Sequence, residues 1–86
     1  MKLHINTEQD LKRLDNKIDF DEAADHFAPY LVCSEETKKM LDKYKKNRFP
    51  KLEDLEEYKD PDMYYISTIR IDNTLPFGEV EVKEFR

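Results

Sequence analysis

Glycine is almost missing from this sequence. Gly78 is the only one in 86 residues, so long flexible loops are excluded and capped turns are expected between elements. Cysteine is equally scarce. Cys33 stands alone, which excludes an internal disulfide framework and points to a reducing compartment. Histidine occurs only at His4 and His26, so no His-rich metal spacing exists. No apolar run is long: the stretch Ala28-Pro29-Tyr30-Leu31-Val32-Cys33 falls far short of the roughly 20 residues of a membrane-spanning helix. The start, Met1-Lys2-Leu3-His4-Ile5, turns polar at once and does not read as a secretion signal. A cytoplasmic setting is the expectation. A basic excess is also lacking. The net charge of −5 argues against a general nucleic-acid binder, which needs a basic face for phosphate.

What is present suits one small folded domain spanning residues 1–86. Charged residues make up 41% of the chain and hydrophobic ones 38%, and the 12% that are aromatic supply large packing surfaces. The apolar positions recur periodically, which disordered chains do not show.

Leu3 and Ile5 flank His4 in a short first strand. Thr7 followed by Asp10 resembles a capping box, and Leu11, Leu14 and Ile18 follow at helical spacing, predicting a helix from about Glu8 to Asn16. Asp19 or Asp21 caps a second short helix, with Phe20, Ala23, Ala24 and Phe27 as its apolar stripe and Pro29 as its stop. Tyr30-Leu31-Val32-Cys33 reads as a buried strand. Ser34 caps the clearest helix, in which Thr37, Met40, Leu41 and Tyr44 share a face and Lys45, Lys46 and Arg48 offset the dipole at its end. Pro50 opens another short helix carrying Leu52, Leu55 and Tyr58.

The last third predicts a β-hairpin. Tyr64–Ile71 is rich in aromatic and β-branched residues, and Glu79–Phe85 alternates, with Val80 and Val82 toward the core. Residues 72–78 form the turn between them, and Gly78 is placed where a positive φ is needed. The expected fold is α+β: a small three- to four-stranded, mainly antiparallel sheet with a C-terminal β-hairpin and helices packed on one face.

No constellation of catalytic residues emerges, and no enzyme, cofactor or metal is expected. Glu22 and His26 are four apart, with Asp19, Asp21 and Asp25 nearby, but nothing completes a ligand set, and a calcium loop would need a central glycine. Cys33 at the end of an apolar strand reads as a small buried hydrophobe, and Ser34 as a cap.

The charge layout says more. Residues 30–50 hold six basic and three acidic residues, net +3, and residues 51–62 hold two basic and six acidic, net −4. This is either a solvated surface with Glu35–Lys39 and Asp42–Lys46 pairs or a bipolar face that registers a protein partner. The second reading assigns Lys39, Lys43 and Lys46 to the basic side and Glu53 and Glu56 to the acidic side. Leu75 and Phe77 flank Pro76 in an otherwise polar turn, either folded back on the core or offered to a partner, with Tyr58 and Tyr64 extending the patch.

Two stretches resemble small proteins of tailed bacteriophages. In Tyr30-Leu31-Val32-Cys33-Ser34-Glu35-Glu36-Thr37 a strand runs into a Ser-Glu-capped helix. In Ile69-Arg70-Ile71-Asp72-Asn73-Thr74-Leu75-Pro76-Phe77-Gly78-Glu79-Val80-Glu81-Val82 an extended segment pairs with a closing strand. The resemblance covers about residues 30–85 and carries over no functional residue. It implies a phage or prophage protein that acts in the host cytoplasm by binding another protein, as a modulator or inhibitor of a host protein. Two alternatives stay open: a virion accessory or self-associating assembly protein, and a nucleic-acid binder using Lys38, Lys39, Lys43, Lys45 and Lys46.

Overall fold

A computed structural model of the chain describes residues 1–48 and 62–84. Two helices, α1 (Glu8–Asp25) and α2 (Glu35–Arg48), accompany five strands: β1 (Lys2–His4), β2 (Tyr30–Cys33), β3 (Met63–Tyr64), β4 (Ser67–Ile71) and β5 (Glu79–Lys83). The fold is α+β, and the strands form one mixed sheet in the order β1-β5-β2-β4-β3. The helix expected after Pro50, with Leu52, Leu55 and Tyr58, lies outside the described residues.

The sequence predicts two helices between residues 8 and 28, but α1 is a single 18-residue helix. Its start is the expected capping box: the Asp10 N–H donates to Thr7 Oγ1 while Asp10 Oδ2 accepts from the Asn6 and Thr7 N–H groups. Those donors, the Asn6 N–H first, hold the Asp10 carboxyl below the usual carboxylate range. No proline or glycine interrupts residues 16–19. Asp21, expected as a cap, instead accepts from Lys17 Nζ at 2.7 Å one turn earlier. The helix ends at His26, whose φ of 64° is left-handed and whose N–H donates to the Glu22 carbonyl.

Continuity fixes which side of α1 is buried. Leu11, Leu14 and Ile18 are fully buried. Phe20 lies about half a turn away from them at 100° per residue. The stripe Phe20, Ala23 and Ala24, expected to face the core, is therefore exposed, as is Phe27.

The sheet departs from the expected three or four mainly antiparallel strands. It has five, and β2 runs parallel to β4 and antiparallel to β5. The predicted hairpin between β4 and β5 does not form, because β2 lies between them. Alternation along Glu79–Lys83 reports a half-buried strand without naming its neighbour. The connecting loop decides the order. Its Asp72 N–H donates to the Cys33 carbonyl, Asn73 Oδ1 accepts from the Glu35 N–H, and the Gly78 N–H donates to Thr37 Oγ1. Residues 72–78 thus cross the end of β2 and the start of α2, where Ser34 caps the helix as expected by accepting from the Thr37 N–H at 3.2 Å.

The hairpin of this fold is smaller and earlier. Tyr64 pairs with Ser67 across the two residues Tyr65 and Ile66, and Tyr65 has a φ of 53°.

Side chains alternate across the sheet as the register requires. Leu3, Leu31, Cys33, Ile69, Val80 and Val82 face the helices and join Leu11, Leu14, Ile18, Leu41 and Tyr64 in one core. Val80 and Val82 are buried as expected. The other face carries Tyr30, Val32, Arg70 and Glu81, with the Arg70 guanidinium 4.3 Å from the Tyr30 ring centroid.

Polar contacts tie helices to hairpin. Tyr64 Oη donates to Asp15 at 2.7 Å and Tyr65 Oη to Asp19 at 2.6 Å. Lys38 Nζ donates to Asp62 at 2.7 Å and Lys45 Nζ to the Met63 carbonyl at 2.9 Å. Asp62 raises the Lys38 ammonium pKa. The bond to Asp19, then burial, pushes the Tyr65 phenol up to about 12. The unfolded phenol titrates near pH 10. Between those values the unfolded chain holds fewer protons than the folded one, so stability falls as pH rises. The Tyr65 contribution is complete below about pH 10 and lost through about pH 12. Denaturation of wild type and Tyr65→Phe across that range is expected to converge as pH rises. A constant difference between them would remove the Asp19 bond as the cause.

Candidate functional site

The helix α2 sorts its lysines by angle. Lys38 and Lys45 lie on the flank that reaches Asp62 and Met63. Lys39 and Lys43, four apart, lie one above the other on another side, beside Met40 and Tyr44. Opposite them stand Ile5 and Asn6, which lead from β1 into α1, and Phe77 from the β4–β5 loop. Together these residues line an open cleft of about 600 Å³.

The loop that presents Phe77 is braced at both ends. Asp72 accepts from the Thr74 hydroxyl and N–H, which hold its carboxyl below the usual range, the hydroxyl bond foremost. The Glu79 N–H donates to the Pro76 carbonyl at 3.2 Å, and the Ile5 N–H to the Gly78 carbonyl at 2.7 Å. Gly78 has the expected positive φ, 89°. These bonds leave Phe77 56% exposed at the rim.

Neither Lys39 nor Lys43 has an ion pair among the described residues. The expected Glu35–Lys39 pair is absent there; Lys45 Nζ lies 3.7 Å from Asp42, and the side chain of Lys46, expected to pair with Asp42, lies outside the described residues. The cleft therefore joins two uncompensated ammonium groups to a thioether and two aromatic rings. It can hold an apolar side chain on Met40, Tyr44 and Phe77 while the lysines meet a carboxylate. Cys33 is elsewhere, buried in the core, where desolvation pushes its thiol up to about 11 and leaves little thiolate at neutral pH.

Of the residues singled out by sequence, Phe77, Lys39 and Lys43 converge here. Leu75 is half-buried and borders an adjoining depression with Glu35, Glu36 and Asn73, across from Phe77. Tyr64 is not available to a partner: it is fully buried, because its ring fills the core and its hydroxyl reaches Asp15. Tyr58, Glu53, Glu56 and the side chain of Lys46 lie outside the described residues. Met40 and Tyr44 belong to the site although their spacing marks them as core. They are half-buried, serving both. The repeated pairs Lys39-Met40 and Lys43-Tyr44 are the sequence signal for a cationic, apolar face.

Among the described residues no three His, Cys, Asp or Glu side chains could share a metal ion, and no helix is long and apolar enough to cross a membrane. No protein-family model, curated protein or solved structure matches the chain.

Proposed function

We propose that this protein is non-enzymatic and acts by binding another protein, as a phage-encoded modulator or inhibitor of a host protein. The phage origin rests on the resemblance of residues 30–85. The binding role rests on one observation: the cleft where exposed Phe77 stands opposite Lys39 and Lys43. Its partner presents an acidic segment with an apolar anchor. Charge sets orientation and encounter rate, and the anchor supplies most of the affinity. A protein partner also suits this surface better than nucleic acid does, since Lys38 and Lys45 are engaged within the fold.

The tests are retention of proteins from host lysate by wild type, by Phe77→Ser and by Lys39→Glu/Lys43→Glu, each checked for folding by circular dichroism. Wild type is expected to retain a protein in a salt-sensitive manner, and both variants to lose at least about tenfold in affinity, or 1.4 kcal/mol. Equal retention by folded variants would refute the cleft as the binding surface.

A further inference from the structure

The cleft begins where an open sheet edge ends. β1 stands at one end of the strand order. On its inner side Lys2 lies opposite Glu81, Leu3 opposite Val80 and His4 opposite Glu79. The hydrogen bonds at its two ends fix which amides point outward. The Val82 N–H donates to the Met1 carbonyl and the Ile5 N–H to the Gly78 carbonyl, each at 2.7 Å. Antiparallel pairs alternate between bonded and non-bonded positions, so Leu3 also bonds toward β5. The N–H and C=O groups of Lys2 and His4 therefore point away from the sheet. Both residues are exposed, and no described strand lies beyond them.

Such an edge is a template for another strand. Its side chains restrict which one. Lys2 has no ion pair among the described residues, and Leu3 is partly buried against the core. Side chains of an added strand alternate between the two faces. The position beside Lys2 suits an acid, and the position beside Leu3 an apolar group. β5 has this pattern on the inner side, with Glu81 at Lys2 and Val80 at Leu3. One residue past His4, about 3.3 Å further, Ile5 lines the cleft with Met40 and Phe77, and Lys39 and Lys43 stand there too.

We propose that the β1 edge and the cleft form one continuous site for an extended segment of a protein partner, added to the sheet antiparallel to β1. The segment alternates acidic and apolar residues. Its main chain bonds the outward amides and carbonyls of Lys2 and His4, and an acid lies beside Lys2. An apolar anchor earlier in the segment enters the cleft against Met40 and Phe77, and the carboxylate before it meets Lys39 and Lys43. This rests on the reading of the cleft as a binding surface and specifies the form of its partner. A second copy is the less favourable occupant. Its own strand of this pattern, β5, is enclosed between β1 and β2, and two β1 edges would bring two copies of Lys2 together with no acid on either strand.

Titration of isotope-labelled protein with acetyl-Glu-Phe-Glu-Val-Glu-Val-amide, followed by amide NMR, tests this. Binding is expected to be salt-sensitive, to shift the Ile5, Lys39 and Lys43 signals, and to slow exchange of the Lys2 and His4 amides at least about tenfold. His4→Pro removes one outward N–H and keeps the bonds to β5. It is expected to weaken binding at least about tenfold, whereas His4→Ala, which keeps the N–H, binds like wild type. Methylating the glutamate amide nitrogens of the peptide, which face β1, is expected to abolish binding, and methylating the valine nitrogens to preserve it. Undiminished binding by folded His4→Pro, or of the glutamate-methylated peptide, overturns the proposal. If Lys39→Glu/Lys43→Glu nonetheless loses the peptide, strand addition fails and the cleft reading survives. A peptide that does not bind wild type also overturns the proposal, and retention of a host protein through Lys39 and Lys43 then judges the cleft alone. If His4→Pro misfolds, the two methylated peptides decide on wild type. Protection of Lys2 and His4 that rises with protein concentration in the absence of peptide would assign the edge to a second copy and refute the proposal.

Discussion

Gly78→Val is expected to destabilise the fold by about 2–4 kcal/mol, read as a lowered urea midpoint with little change in slope. Three costs combine. The backbone φ of 89° is one that side-chain-bearing residues rarely adopt. A Cβ built there stands 3.2 Å from the Ile5 carbonyl oxygen and 3.4 Å from the His4 ring, and valine adds two methyl groups to that contact. Relaxing either strain moves a backbone whose N–H donates to Thr37 and whose carbonyl accepts from Ile5. Gly78→Ala avoids the extra methyl groups and is expected to cost less, about 1–2 kcal/mol. An unchanged midpoint in the valine variant would show that the loop takes another path. Since Phe77 precedes this residue, either variant also loosens one wall of the cleft.

Tyr64→Ala is expected to cost about 3–5 kcal/mol, from a vacated aromatic site and a lost hydrogen bond. Tyr64 is 0% exposed and its hydroxyl lies 2.7 Å from Asp15 Oδ1. Tyr64→Phe separates the two parts. It keeps the ring and removes only the bond to a carboxylate, worth about 2 kcal/mol. A cycle with Asp15→Asn isolates the pair. A phenylalanine variant as stable as wild type would assign the whole effect to packing.

What the sequence disclosed of the fold was local. The Thr7–Asp10 box, the Ser34 cap and the Val80/Val82 alternation each involve residues within a few positions of one another, and all are present. The strand order depends on bonds from Asp72, Asn73 and Gly78 to Cys33, Glu35 and Thr37. No periodicity encodes such distant pairings. α1 carries two opposed apolar stripes, Leu11/Leu14/Ile18 and Phe20/Ala23/Ala24, and only the assembled sheet selects between them. The turn at Tyr65–Ile66 lacks the glycine or asparagine that usually marks a left-handed residue. Tyr65 takes that conformation where its hydroxyl reaches Asp19, so Tyr64–Ile71 reads as one strand when it is two. For the cleft, Phe77, Lys39 and Lys43 are each visible in sequence, while their convergence depends on the loop crossing α2.

The place of β5 bears on how the chain is made. Its two neighbours, β1 and β2, precede it by most of the sequence, and the Met1 N–H group bonds to the Val82 carbonyl 81 residues away. During synthesis β1 emerges first but has no strand beside it until β5 leaves the ribosome, and β2 meanwhile has one open edge. The sheet therefore closes after translation has passed residue 83, not progressively. Until then an unpaired β2 edge is open to other chains, and the insertion of β5 into the gap between β1 and β2 completes the ladder.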